Sequence, residues 1–158
     1  MSQQLQLTST TNAAYYGVRS QTVYDLTGSS VTNKVINAGN QKITSFEVYP
    51  VNIGPDSNNQ LSWYISGGNI IAKKKIAGVQ TTLKTAAYSA NTHKYFRIRE
   101  SSGTVYWDYS TNGTSWANFT SLADPFSLNA VYIEQMIGTW QNESKTTSAV
   151  LDNVNIAP

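Results

Sequence analysis

Residues 93–116 read HKYFRIRESSGTVYWDYSTNGTSW, and they constrain the fold more than any other part of the chain. Residues 94–100 and 104–110 each alternate apolar and polar side chains, and a short Ser-Ser-Gly turn joins them. A second turn, Asn112-Gly113, comes shortly before Trp116. Successive residues of a strand point to opposite faces, so period-two alternation bounded by turn residues predicts half-buried antiparallel strands.

The same punctuation recurs along the chain. Gly28, Ala38-Gly39, Gly54-Pro55, Gly67-Gly68, Ala77-Gly78 and Asp124-Pro125 separate short runs rich in Val, Ile, Thr, Tyr and Phe. The spacing predicts strands over 15–19, 22–26, 31–37, 42–51, 60–66, 69–76, 79–84, 93–100, 103–110, 115–119, 130–138 and 148–156. Many short strands with no intervening helical pattern predict an all-β chain, a two-sheet antiparallel β-sandwich or a barrel. Residues 1–14, polar and uncharged, read as a flexible N-terminal arm; residues 15–158 read as one domain of ordinary size.

Composition narrows the function. The 11 Lys and Arg against 9 Asp and Glu leave a net charge of +2, and nucleic-acid binding calls for a clustered basic face. The basic run Lys73-Lys74-Lys75 reads either as a lysine-protected edge strand or as an anion patch. There is no cysteine, so disulfides and thiolate metal sites are absent. No signal-peptide pattern opens the chain, and no apolar run nears the roughly 18 residues that span a bilayer. These features predict a soluble product made in a cytoplasm.

Alternation sorts each strand. Phe46 and Val48, Leu61, Trp63 and Ile65, Phe96 and Ile98, Val105, Trp107 and Tyr109, and Val131, Ile133 and Ile137 are predicted to fill the space between the sheets. Their alternates combine Tyr49, Tyr64, Tyr95, Tyr106 and Tyr132 with Arg97, Arg99, Glu47, Asp108 and Glu134 and are predicted to form one continuous outer face. Arginines opposite carboxylates form hydrogen-bonded pairs, and tyrosines flank planar or sugar-like ligands. The set therefore reads either as a binding face or as a cross-strand ladder that stabilises a solvated sheet.

HKYFRIR, GTVYWDYSTNGTSW, VYIEQMIGTW and VLDNVNI resemble the concanavalin A-like, or laminin-G-like, jelly-roll domains, from Tyr24 onward. YYGVRSQTVYDLTGSSV looks like virion-associated examples from tailed phages. The resemblance implies a β-sandwich that binds sugars on its concave face or adjoining loops. It maps that face onto Tyr64, Tyr95, Arg97, Arg99, Tyr106, Asp108, Tyr132 and Glu134, with Trp140 as a loop aromatic for stacking. It further implies a structural, decoration or attachment role in a virion assembled in the host cytoplasm. The partners would be other virion proteins, a second copy of the chain or a cell-surface glycan, with neither nucleic acid nor membrane. The alternatives are a free-standing lectin and a glycan hydrolase.

Catalytic chemistry has few candidates. The family's glycanases carry E-x-D-x-x-E on one strand, which this chain lacks; Asp108 and Glu134 are the carboxylates that could meet across strands. No catalytic residue and no cofactor is assigned, with calcium at Asp56-Ser57-Asn58-Asn59, aided by Asp152-Asn153, as the one candidate ion. A lone histidine, His93, gives no metal cluster and reads as a loop anchor.

Overall fold

In the computed structural model, residues 4–39, 43–51, 58–144, 146–152 and 154 are described. They form twelve strands: β1 (Leu5–Thr8), β2 (Tyr15–Arg19), β3 (Ser30–Asn37), β4 (Ile43–Pro50), β5 (Gln60–Ser66), β6 (Asn69–Ile76), β7 (Val79–Ala87), β8 (Tyr95–Ser101), β9 (Thr104–Ser110), β10 (Ala117–Ala123), β11 (Val131–Gly138) and β12 (Ser148–Asp152). Two antiparallel six-stranded sheets face each other. The back sheet runs β1-β12-β3-β8-β9-β10 and the front sheet β2-β11-β4-β5-β6-β7. The expected β-sandwich is the observed architecture. No helix among the described residues is long and apolar enough to cross a membrane.

Local turn chemistry sets the hairpins. Ser102 and Gly103, with φ of 53° and 76°, link β8 to β9 as a two-residue turn whose residues both take the left-handed region. Such turns match the right-handed twist of paired strands. Gly67-Gly68 joins β5 to β6, and Ala77-Gly78 joins β6 to β7, in the same conformation.

The residues sorted inward by alternation meet between the sheets. Phe46, Val48, Leu61, Trp63, Phe96, Ile98, Val105, Trp107, Val131, Ile133 and Ile137 are all buried in one core. Ile65 and Tyr109 pack at its margin. Two tryptophans tie the layers reciprocally. Trp63 of the front sheet donates its indole N–H to the Arg97 carbonyl of the back sheet, and Trp107 of the back sheet donates to the Ser62 carbonyl of the front, each at 3.0 Å. A buried indole N–H left without an acceptor costs about 1–3 kcal/mol, so these bonds hold β5 in one position against β8 and β9.

Several expectations are corrected. The polar arm expected over 1–14 contains β1, which pairs with β12 and buries Leu7. The run 22–26 is no strand; Tyr24 makes a single bridge to Val131, and Leu26 enters the core. The expected strand 148–156 ends at Asp152 among the described residues. The lysine run of β6 is no sheet edge, because β7 covers it; β7 and β10 are the edges on that side. Bulges in β7 and β10, at Leu83 and Phe119, turn both residues toward the core and close that side.

Candidate functional site

The largest correction concerns the outer face. Tyr95, Arg97 and Arg99 lie on β8 and Tyr106 and Asp108 on β9, in the back sheet. Tyr64 lies on β5 and Tyr132 and Glu134 on β11, in the front sheet. The predicted continuous face is therefore two faces on opposite sides of the sandwich. Asp108 and Glu134 cannot meet, since the core separates them.

The back-sheet half is already satisfied by its own members. Asp108 Oδ2 accepts from Arg97 Nη2 at 2.7 Å and from Arg99 Nε at 3.1 Å, and Oδ1 accepts from Asn118 Nδ2 at 3.1 Å. The Arg99 guanidinium lies 3.9 Å from the Tyr106 ring centroid, and that of Arg97 lies 4.2 Å from the Trp116 ring. Lys34 sits 5.7 Å from the Tyr95 ring. Every charge here has a partner on a neighbouring strand, the pattern of a cross-strand ladder.

The front sheet holds the cleft. A depression of about 440 Å³ is lined by Tyr15, Arg19, Ile43, Ser45, Glu47, Tyr49, Gln60, Tyr64, Lys75, Glu134 and Met136. Register explains it. One cross-strand row runs Arg19, Glu134, Glu47, Ser62, Lys73 from β2 to β6. The next row runs Gly17, Met136, Ser45, Tyr64. Small residues at 17, 45 and 62 leave the floor low, while the tyrosines stand around it. A Cβ at position 17 would meet the Gln135 carbonyl at 2.4 Å and Met136 Cγ at 2.6 Å. Glycine there lets β2 lie against β11 and bring Tyr15 and Arg19 to the rim.

At the centre, Glu47 and Glu134 are direct cross-strand partners. Glu47 is 2% exposed. Its Oε2 accepts from Gln60 Nε2; Oε1 and the Ser45 Oγ are sealed from solvent, and the Ser45 and Tyr64 hydroxyls favour the charged carboxylate. Burial pushes the Glu47 carboxyl up to about 7, and the charge of Glu134 acts in the same direction. Glu134 accepts from the Tyr49 hydroxyl at 3.1 Å. Burial, helped by Glu134 and opposed by the Arg19 hydrogen bond, pushes Tyr49 up to about 12, and burial raises Tyr64 as well. Arg19 lies 5.2 Å from the Tyr132 ring, and Lys73 Nζ lies 4.7 Å from the Tyr64 ring.

Of the residues proposed from sequence, the cleft therefore gathers Tyr64 and Glu134, with Tyr132 beside it. Trp140 is 60% exposed in the loop after β11 and does not line the cleft. Alternation places Glu47 and Tyr49 outward without singling them out for the site, and Tyr15, Arg19, Ser45, Gln60 and Lys75 carry no signal of their own in the sequence. His93 accepts from the Ser89 amide at 2.9 Å and packs against Tyr109, as a loop anchor. For calcium, Asp56, Ser57 and Asn153 lie outside the described residues; Asn59 Oδ1 accepts from the Ala77 amide, and Gly78 donates to the Asn58 carbonyl.

No protein-family model and no curated protein matches the sequence. Solved structures do match the fold. A Bacillus licheniformis β-glucanase aligns with a TM-score of 0.63 at 10% identity, over 86% of this chain and 68% of that one. A carbohydrate-binding module from Bacillus subtilis aligns with a TM-score of 0.54 at 9% identity, over 93% and 92%. A toad ovary galectin, in complex with thio-digalactose, aligns with a TM-score of 0.50 at 11% identity, over 86% and 98%. Two six-stranded antiparallel sheets with these structural relatives identify the fold as a concanavalin A-like jelly roll.

Proposed function

We propose that the protein is a non-catalytic glycan-binding β-sandwich and that the front-sheet cleft is its binding site. One observation carries this reading: the front sheet bears a depression of about 440 Å³ lined by the oxygen-bearing side chains of Ser45, Glu47 and Glu134 and walled by Tyr15, Tyr49 and Tyr64. Sugars present hydroxyl edges to such oxygens and C–H faces to such rings. The likeness to a carbohydrate-binding module and a galectin supports the same reading. The finer reading, a decoration or attachment component of a virion, rests on the resemblance of residues 15–31.

Screening the protein against a glycan array tests the proposal. Binding is expected, and Tyr64→Ala should weaken it by about tenfold, or 1.4 kcal/mol, while Arg97→Ala leaves it unchanged. Binding lost in Arg97→Ala and kept in Tyr64→Ala would move the site to the back sheet. Absence of binding to any glycan at millimolar sensitivity would leave the structural role alone.

A second reading, glycan hydrolysis, is favoured by the facing carboxyls of Glu47 and Glu134. Glycosidases use two carboxyls of unlike protonation, one as acid and one as base or nucleophile. Release of reducing ends by the wild type, lost in both Glu47→Gln and Glu134→Gln, would establish it over the non-catalytic one.

A further inference from the structure

The two ends of the front-sheet cleft differ in kind. Side chains on one face of a strand recur every second residue, so successive rows lie about 7 Å apart. Arg19, Glu134 and Glu47 form one row, and Gln60 and Lys75 pair in the row beside it. Toward the other end come Gly17, Met136 and Ser45, and then Tyr15, Gly138 and Ile43. Among the described residues, every charged side chain that lines the cleft stands in the first two rows. Two glycines shape the uncharged end. A Cβ on Gly17 would meet Met136 Cγ at 2.6 Å, and one on Gly138 would meet Tyr15 Cδ1 at 2.6 Å. The thioether chain thus lies over one glycine and the phenol ring over the other, both low against the sheet. Tyr15 is 47% exposed there, and Met136 and Ile43 are half-buried. These three side chains make an apolar shelf that solvent reaches.

We propose that the cleft selects a saccharide carrying a methyl group, in a 6-deoxy or an acetamido substituent. The methyl packs on Met136, Ile43 and the Tyr15 ring, and the sugar hydroxyls lie toward Arg19 and Glu134. Isoleucine offers no hydrogen bond and methionine sulfur only a weak one. A sugar hydroxyl set against them gives up its water for no partner, whereas a methyl group gains from leaving water. The grading from charged to apolar along the strands therefore favours a ligand graded in the same way. This inference rests on the glycan-binding reading of the cleft and deepens it.

Matched sugars test it: L-rhamnose against L-mannose, L-fucose against L-galactose, and N-acetylglucosamine against glucose. Each is titrated to millimolar concentration while the methyl resonances of Met136 and Ile43 are followed by NMR. In at least one pair the methyl-bearing sugar is expected to bind tighter by about fourfold or more, the factor that burying one methyl group gives, and to shift both resonances. A preference in the first two pairs assigns the methyl to a 6-deoxy sugar, and one in the third assigns it to an acetamido group. Met136→Gln and Ile43→Thr lie outside the core and should each bring the preferred pair to near-equal affinity, while Arg97→Ala on the other sheet keeps the difference. Equal or tighter binding of the hydroxyl sugar in every pair, or a preference that survives in both cleft variants, would overturn the inference while leaving glycan binding intact. Binding of none of the six, or of any arrayed glycan, would remove both.

Discussion

Glu47 and Glu134 stand directly opposite each other across β4 and β11, on the floor of the front-sheet depression. Their surroundings differ. Glu47 is buried, and Glu134 is held by Tyr49 and paired across the strand with Arg19. Burial therefore falls on one member of the pair, which is the one whose carboxyl is raised.

Stability should depend on pH through Glu47. A carboxyl raised from 4.5 to about 7 binds its proton more tightly folded than unfolded. Its contribution is complete below pH 4.5 and is lost as pH rises to 7, up to about 3 kcal/mol. Glu47→Gln should raise the melting temperature at pH 8 and change it little at pH 5. Thermal unfolding of both proteins across that range checks this; equal pH profiles would show that Glu47 does not titrate there.

Asp108 should matter to the fold and not to the ligand. It is buried and accepts from Arg97, Arg99 and Asn118. Its removal leaves two arginines without their shared acceptor, a loss of about 3 kcal/mol for a pair broken on one side. Asp108→Ala should unfold at lower urea and, while folded, bind any front-sheet ligand like the wild type.

Gln135 is a stabilising substitution in waiting. It is buried between the sheets next to Phe46, and neither its Oε1 nor its Nε2 has a partner among the described residues. Replacing an unsatisfied buried amide by an apolar chain of similar length removes a penalty of about 1–3 kcal/mol. Gln135→Met should therefore raise the midpoint of urea unfolding with an unchanged slope.

Gly17→Ala should act at the rim of the cleft. The added methyl would press on the Gln135 carbonyl and Met136 at the β2–β11 contact. β2 is an edge strand, so it can move away while the core stays closed. Ligand affinity should fall with the displacement of Tyr15 and Arg19, while the melting temperature shifts by only a few degrees, on the order of 1 kcal/mol. Amide exchange of β2 relative to β11 measures the displacement.

Within each strand, the sequence alone determined which side chains face inward. Phe46, Trp63, Ile98, Trp107 and Ile137 are where alternation puts them, because period two is a local property of the extended backbone. It also determined the two-residue hairpins, since Ser102-Gly103 and Gly67-Gly68 carry their conformation in their own residues. It did not determine which outward residues share a face. Arg97 and Tyr64 alternate in the same way on their own strands, yet they look out from opposite sides of the sandwich. Strand order decided that, and with it the meeting of Glu47 with Glu134 and the parting of Glu134 from Asp108. Pairings between strands distant in the chain rest on the packing of the whole core. The site therefore became visible only when the two sheets were assembled.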